Sequence, residues 1–253
     1  MSDEMPLSAR ACQFRAQVEN PARFPETCEG GDVGSAEVPA IWLFGLEPGW
    51  SKAQQNDDVG SGATVADYAK YSVELQLQWR FNQNAFKLLA ALKGDSPEDY
   101  KQFASRLRPF ERGSKGYFKG NLFPAACNNL GEWGDDHREE TGFPDKVSYQ
   151  DWMRKTRFAI VKAWIEKCRP KLLICTGLTH MADFLTLTDI KEIPTPHVFQ
   201  INGHPKRIHV TSTGIVPVAV IPHLSSGPHS LNSLQSISET AAHIRRALPG
   251  IAF

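Results

Sequence analysis

The sequence predicts an α/β fold: a three-layer sandwich whose central, mostly parallel sheet is covered by helices on both faces. Two observations carry this prediction. Short apolar runs of strand length alternate with longer segments whose apolar residues recur at helical spacing. Several of those runs end in turns rich in Gly, Pro or Asn, at the strand ends where an open sheet of this kind forms its ligand crevice. A length of 253 residues with 41% hydrophobic and 22% charged residues suits one such domain and disfavours disorder, collagen and coiled coil.

Residues 1–37 are mixed and turn-rich, ending in Glu29-Gly30-Gly31-Asp32, and read as a surface extension before a domain at 38–253. Ile41 to Leu46 reads as a buried strand running into the tight loop Gly45-Leu46-Glu47-Pro48-Gly49. In Phe81 to Leu92, Phe86, Leu89 and Ala90 share a helical face, and Asp95-Ser96-Pro97 opens a second helix. Tyr117 to Phe123 suits a strand ended by Pro124. Residues 131–148, acidic and interrupted by Gly and Pro, read as an inserted loop.

Gln150 to Cys168 has helical periodicity, broken by Arg169-Pro170 before the strand Leu172 to Cys175. Thr176-Gly177-Leu178-Thr179 turns into a further helix. Val198 to Ile201 and Arg207 to Val210 read as paired strands, Val216 to Ile221 as the last strand, and the chain closes with an amphipathic helix through Leu248. This arrangement puts Glu47, Asn121 and His223 on one rim of the sheet.

Composition narrows the function classes. With 28 basic and 28 acidic groups the chain is not a globally basic nucleic-acid binder, although a local cationic groove remains compatible with that balance. The apolar runs are far shorter than the about twenty residues of a membrane helix, and the first residues lack a signal-peptide pattern, so a cytoplasmic setting is expected. Cys12, Cys28, Cys127, Cys168 and Cys175 form no CxxC pair and read as reduced thiols. No HExxH or other compact ligand set appears, and neither a metal nor another cofactor is expected.

Three polar segments follow apolar strands in order: GLEPGWS (45–51), GNLFPAACNN (120–129) and HLSSGPHSLN (223–232). With EKCRPKLLICTG (166–177) and the helix FNQNAFKLLAAL, this series resembles the uracil-DNA glycosylase superfamily over roughly residues 38–248. The resemblance implies that family's sandwich and a monofunctional DNA glycosylase. Such an enzyme flips uracil or a 5-substituted or modified pyrimidine from single- or double-stranded DNA and hydrolyses its N-glycosidic bond, leaving an abasic site. The biological settings it implies are base-excision repair or defence against phage DNA carrying modified bases.

The resemblance assigns roles residue by residue. Glu47 falls where the family has the Asp or Asn that positions water, and His223 matches the histidine supporting the leaving base. Asn121 matches the base-reading asparagine; which way its amide points decides between the uracil and cytosine edges, and the sequence leaves that open. Gly49 stands where uracil-only members carry a Tyr wall, which opens the site to 5-substituted pyrimidines unless Trp50 rebuilds the wall. Tyr68 and Tyr71 are candidates for stacking on the base or for core packing. Leu224 replaces the usual proline after the histidine.

DNA contacts are expected from Ser225, Ser226 and the cations Lys206 and Arg207, with Arg106, Arg108, Arg112, Lys115 and Lys119 as a possible phosphate track. His229 belongs either to the DNA-entry loop or to plain solvent-facing surface. The protein is expected to act as a monomer without a membrane. Two alternatives stand beside this reading: a catalytically inactive DNA-binding module on the same fold, and a small-molecule hydrolase, for which the GxSxG signature is missing.

Overall fold

A computed structural model describes residues 6–49, 69–127 and 131–253. Of the residues singled out above, Trp50 and Tyr68 lie outside the described residues, as do the last two positions of the segment 120–129. A single seven-stranded mixed sheet forms the centre. The strands are β1 (Gly30–Gly31), β2 (Ile41–Gly45), β3 (Tyr117–Asn121), β4 (Leu172–Thr176), β5 (His197–Ile201), β6 (His204–Thr211) and β7 (Val218–Ile221), in the order β1-β3-β2-β4-β7-β6-β5. β3, β2, β4 and β7 run parallel, and β1, β6 and β5 are added antiparallel at the two edges.

The main described helices are α1 (Ala9–Glu19), α2 (Val73–Gln76), α3 (Arg80–Lys93), α4 (Tyr100–Leu107), α5 (Asp135–Thr141), α6 (Lys146–Cys168), α7 (Met181–Thr186) and α8 (Leu234–Ala247). Strand alternation divides the core between them. Trp42 and Phe44 point to the side packed by α1, α6 and α7, while Ile41 and Leu43 point to the side packed by α3, α4 and α8. Both faces of the central strands are buried, and β2, β4 and β7 accordingly read as apolar runs, while β3 carries the buried polar residues Lys119 and Asn121.

Two expectations are corrected. Residues 6–37 are not a surface extension. Val18 of α1 and Phe24, in a short 3₁₀ helix (Pro21–Thr27), are core residues, and Trp42 donates its indole N–H to the Val33 carbonyl at 2.9 Å. β1 then hydrogen-bonds to β3. Close backbone approach explains the Gly30-Gly31 pair. A Cβ at Gly30 would sit 2.2 Å from the Phe110 carbonyl oxygen, and Gly31 adopts φ +89° with a Cβ position 2.1 Å from the Tyr117 oxygen.

The segment 131–148 is also not a plain loop: it contains α5, and α6 begins at Lys146, earlier than its apolar periodicity starts. Asp145 caps α6 by accepting the Ser148 N–H at 2.8 Å, a signal carried by one polar residue rather than by hydrophobic spacing.

Candidate functional site

The parallel strands finish on one rim, and the segments that leave them are tied together. Gly45 is in register with Asn121. The N–H groups of Leu122 and Phe123 donate to the carbonyls of Gly45 and Leu46 at 3.1 and 2.8 Å, and Cys127 N–H donates to Pro48 at 3.1 Å. These bonds hold the loop carrying Glu47 against the loop that follows Asn121. A Cβ at position 45 would lie 2.5 Å from Oδ1 of Asn121, so the glycine leaves the space that this amide occupies.

His223 enters the same rim from β7. Leu231 N–H donates to the His223 carbonyl at 2.9 Å, and Asn84 of α3 donates its amide to the Leu224 carbonyl at 2.7 Å. The Leu224 side chain is fully buried in the core, an apolar anchor for the loop that follows His223. Together these segments enclose a cavity of about 430 Å³, lined by Glu29, Glu47, Gly49, Asn121, His223 and Phe81, among others. Glu47, Asn121 and His223 thus meet in one pocket, as does Gly49, where a Cβ would meet no atom of the described residues within 4 Å.

The chemistry of each group follows from its neighbours. Oε2 of Glu47 accepts from Nζ of Lys146 at 2.8 Å, while Oε1 is buried without a hydrogen-bond partner among the described residues. That oxygen has acceptor capacity that no described residue uses. His223 fronts the open cavity, yet enough protein surrounds it that desolvation, then the positive charge of Lys119, lowers its pKa below the ordinary imidazole value. Its Nδ1 accepts the Ser225 N–H at 3.3 Å and lies 2.7 Å from Ser225 Oγ. A neutral ring accepting at Nδ1 carries its proton on Nε2, as a donor.

Beneath the cavity floor lies a closed polar network. Nζ of Lys119 donates to Asn82 Oδ1 at 2.7 Å, Tyr71 Oη at 2.7 Å and Glu29 Oε1 at 3.0 Å, using all three of its hydrogens. Tyr71 donates to Glu29 Oε1 at 3.1 Å and accepts from Asn82 at 3.1 Å, and Asn121 donates its amide to Glu29 Oε2 at 3.0 Å. Burial lowers the Lys119 pKa, and Glu29 opposes that shift. Desolvation raises the Tyr71 hydroxyl far above its usual range and the Cys127 thiol, beside Glu47, to about 12, so neither is a nucleophile near neutral pH.

Several expected assignments change. Tyr71 is not a free stacking platform: it is buried at φ +53° with its hydroxyl held in the network. Trp79 and Phe81 are the described aromatics lining the cavity, and Phe81 lies 5.1 Å from the His223 ring. Lys206 is 2% exposed and donates to the carbonyls of Pro228 and Ser230, so it braces the 223–232 loop from within and does not face phosphate. Ser225 is engaged with His223, whereas Ser226, His229 and Arg207 are exposed.

Of the residues named as a possible phosphate track, Lys119 is withdrawn from the surface. Arg106 pairs with Asp95, Arg108 with Glu74 and Glu111, and Lys115 with Asp32; Arg112 donates to the Cys28 carbonyl and Lys119 is buried. Each of these cations thus has a local acceptor, while the Arg106 and Lys115 side chains remain largely exposed at 60% and 85%.

Sequence reasoning missed Glu29, Asn82, Phe81 and Lys146. The glycine pair after Glu29 signalled close backbone approach, and Asn82 shares the helical face of Phe86 and Leu89, a polar residue among core positions. Lys146, far from Glu47 along the chain, carried no such signal. Among the described residues no group of three or more His, Cys, Asp or Glu side chains is placed to hold a metal ion, and no helix is long and apolar enough to cross a membrane. A scan against protein-family models finds no match for this chain, and neither does a search of curated proteins.

Proposed function

We propose that this chain is a monofunctional DNA glycosylase of the uracil-DNA glycosylase type, which takes an extruded pyrimidine nucleotide into the 430 Å³ cavity and hydrolyses its N-glycosidic bond. The observation that carries this reading is the convergence of a carboxylate, an amide and a neutral imidazole from three distant segments on that one cavity.

Breaking the bond from C1′ to the base leaves an electron-poor sugar and sends the bonding pair into the base. The Nε2–H of His223 donates to the base oxygen on which that charge accumulates, and a neutral donor does so without first losing its proton. Glu47 offers negative charge to the sugar, and its unpartnered Oε1 accepts a proton from the water whose oxygen adds to C1′. Asn121 contacts the pyrimidine edge, Phe81 offers a ring face, and the open space at Gly49 admits a C5 substituent. Excision in repair, or of modified bases in phage DNA, is the corresponding role.

The test is incubation with oligonucleotides carrying uracil, mismatched thymine and 5-substituted pyrimidines, followed by alkaline cleavage of abasic sites. Strand scission that requires Glu47 supports the reading; a folded protein that produces none on any of them counts against it.

One observation favours a second reading, a DNA-binding module without turnover: Glu47 is already paired with Lys146, as a purely structural acid would be. In that case wild type and Glu47→Ala retain DNA equally and neither releases base.

A further inference from the structure

We propose that the pole of the sheet opposite the cavity docks an acidic peptide segment of a partner protein, one in which carboxylates flank an apolar side chain. The topology separates this pole from the candidate site. α3 begins beside the cavity at Arg80 and ends at Lys93, and α8 follows the 223–232 loop and ends at Ala247. Each helix has 14 residues, which carries the chain about 20 Å away from the rim. Lys171, immediately before β4, lies at the same far end.

Four cations collect there: Lys93, Lys171, Arg245 and Arg246. Nη1 of Arg245 lies 3.8 Å from the Cβ position of Gly94, the residue after Lys93. Among the described residues none of the four forms an ion pair. Of the acids in the turn after α3, Asp95 pairs with Arg106, and Glu98 and Asp99 pair with no described cation. The cluster feels its own charge. Burial, then Lys93, lowers the Lys171 pKa, and no carboxylate acts in the opposite sense. His243, one turn before Arg246, is lowered by burial, the His197 ring and Arg246. The carbonyl ends of α3 and α8, and the Ala252 carbonyl that accepts from Lys171 at 3.1 Å, set only partial charges against four full ones.

Beside the two arginines runs a groove of about 470 Å³, lined also by Leu248, Pro249, Ile251 and Phe253. Guanidinium groups bind carboxylates through paired N–H bonds, and the apolar residues between them and the end of the chain suit a leucine or phenylalanine side chain. A nucleic-acid backbone would match the charge and leave that apolar surface uncovered. A strand held at the cavity is on the other side of the sheet.

Three fluorescein-labelled peptides test the proposal by fluorescence anisotropy on the whole chain. The first has aspartates on both sides of a leucine and a phenylalanine; the second replaces the aspartates by asparagines, and the third replaces the two apolar residues by serines. The first should bind at least tenfold more tightly than either of the others. The double variant Arg245→Ala, Arg246→Ala should weaken it by tenfold or more, and Lys93→Ala, on a different helix, should weaken it by a smaller factor.

No binding of the first peptide at millimolar concentration overturns the proposal, as does equal binding of all three. Two further measurements assign the surface to another occupant and overturn it as well. One is weaker retention of a single-stranded oligonucleotide by the double arginine variant, which would make the pole a nucleic-acid surface. The other is a wild-type dimer in sedimentation that the same variant dissolves, which would assign it to a second copy of the chain. Peptide binding is read without DNA, so its failure leaves the glycosylase reading untouched.

Discussion

Nζ of Lys146, at the first turn of α6, lies 2.8 Å from Oε2 of Glu47, and both side chains are nearly buried at 12% and 5% exposure. The pair engages one carboxylate oxygen, and the other is buried without a hydrogen-bond partner among the described residues. Glu47→Gln preserves the shape and removes the charge and the proton acceptor, so the single-turnover rate of base release should fall by about 10²- to 10⁴-fold. DNA retention should stay within a few fold. Lys146→Met leaves a buried charge uncompensated and should destabilise the fold by about 3 kcal/mol in urea unfolding. The double variant should recover much of that loss, because the lone charge is gone.

The lowered pKa of His223 predicts the acid side of the pH profile. In the proposed mechanism the neutral imidazole donates to the base, and burial together with the Lys119 charge holds its pKa below the ordinary value of 6.5. Activity should be level through neutral pH and decline as pH falls below that value; in His223→Gln the remaining activity should lose this limb or show it at lower pH. Stability follows the same sign. Because the folded pKa is depressed, the unfolded chain binds the proton first, so the histidine's contribution is complete above 6.5 and is lost as pH falls through the folded value. Urea midpoints of wild type and His223→Gln should therefore converge on acidification; a gap that widens would contradict the assignment.

Lys206 and Arg207 are neighbours on β6 with opposite expected behaviour. Lys206 holds the 223–232 loop through the Pro228 and Ser230 carbonyls, and Lys206→Met leaves both without their donor. A cost of about 1–3 kcal/mol in stability is expected, with weaker DNA binding but an unaltered salt slope. Arg207→Ala should hardly touch stability and should reduce the slope of log K against log salt by about 1, as loss of a phosphate contact does. Titrations of both variants over a range of salt separate the two roles. An unaltered slope for Arg207→Ala removes it from the DNA surface.

The central strands were legible because residues such as Trp42, Leu43, Ile174 and Val220 are buried on both faces, and doubly buried strands are unbroken apolar runs. The rim residues Glu47, Asn121 and His223 were legible through the turns ending those strands. What escaped was set by tertiary pairing. Glu29 sits in a turn-rich stretch and becomes part of the site only because β1 joins β3. Lys119 and Lys206 looked like surface cations, since nothing in their immediate sequence shows the Glu29, Asn82 and carbonyl oxygens that compensate their burial. The α6 start was hidden because its first turn is held by the Asp145 cap while its apolar stripe begins later.

Two glycines at the end of β2 make opposite predictions. At Gly45 a methyl group would approach Oδ1 of Asn121 to 2.5 Å, and the strand register leaves the amide little room to retreat. Gly45→Ala should displace Asn121, cost about 1–3 kcal/mol by overpacking and slow release of every base. At exposed Gly49, where a Cβ meets no atom of the described residues within 4 Å, Gly49→Tyr should change stability by no more than about 0.5 kcal/mol. Its ring would occupy the space beside the bound base, so excision of 5-substituted pyrimidines should fall at least tenfold relative to their unsubstituted counterparts. Thermal melts and paired substrate rates check both variants; equal loss on substituted and unsubstituted bases in Gly49→Tyr would mean that the C5 position points elsewhere.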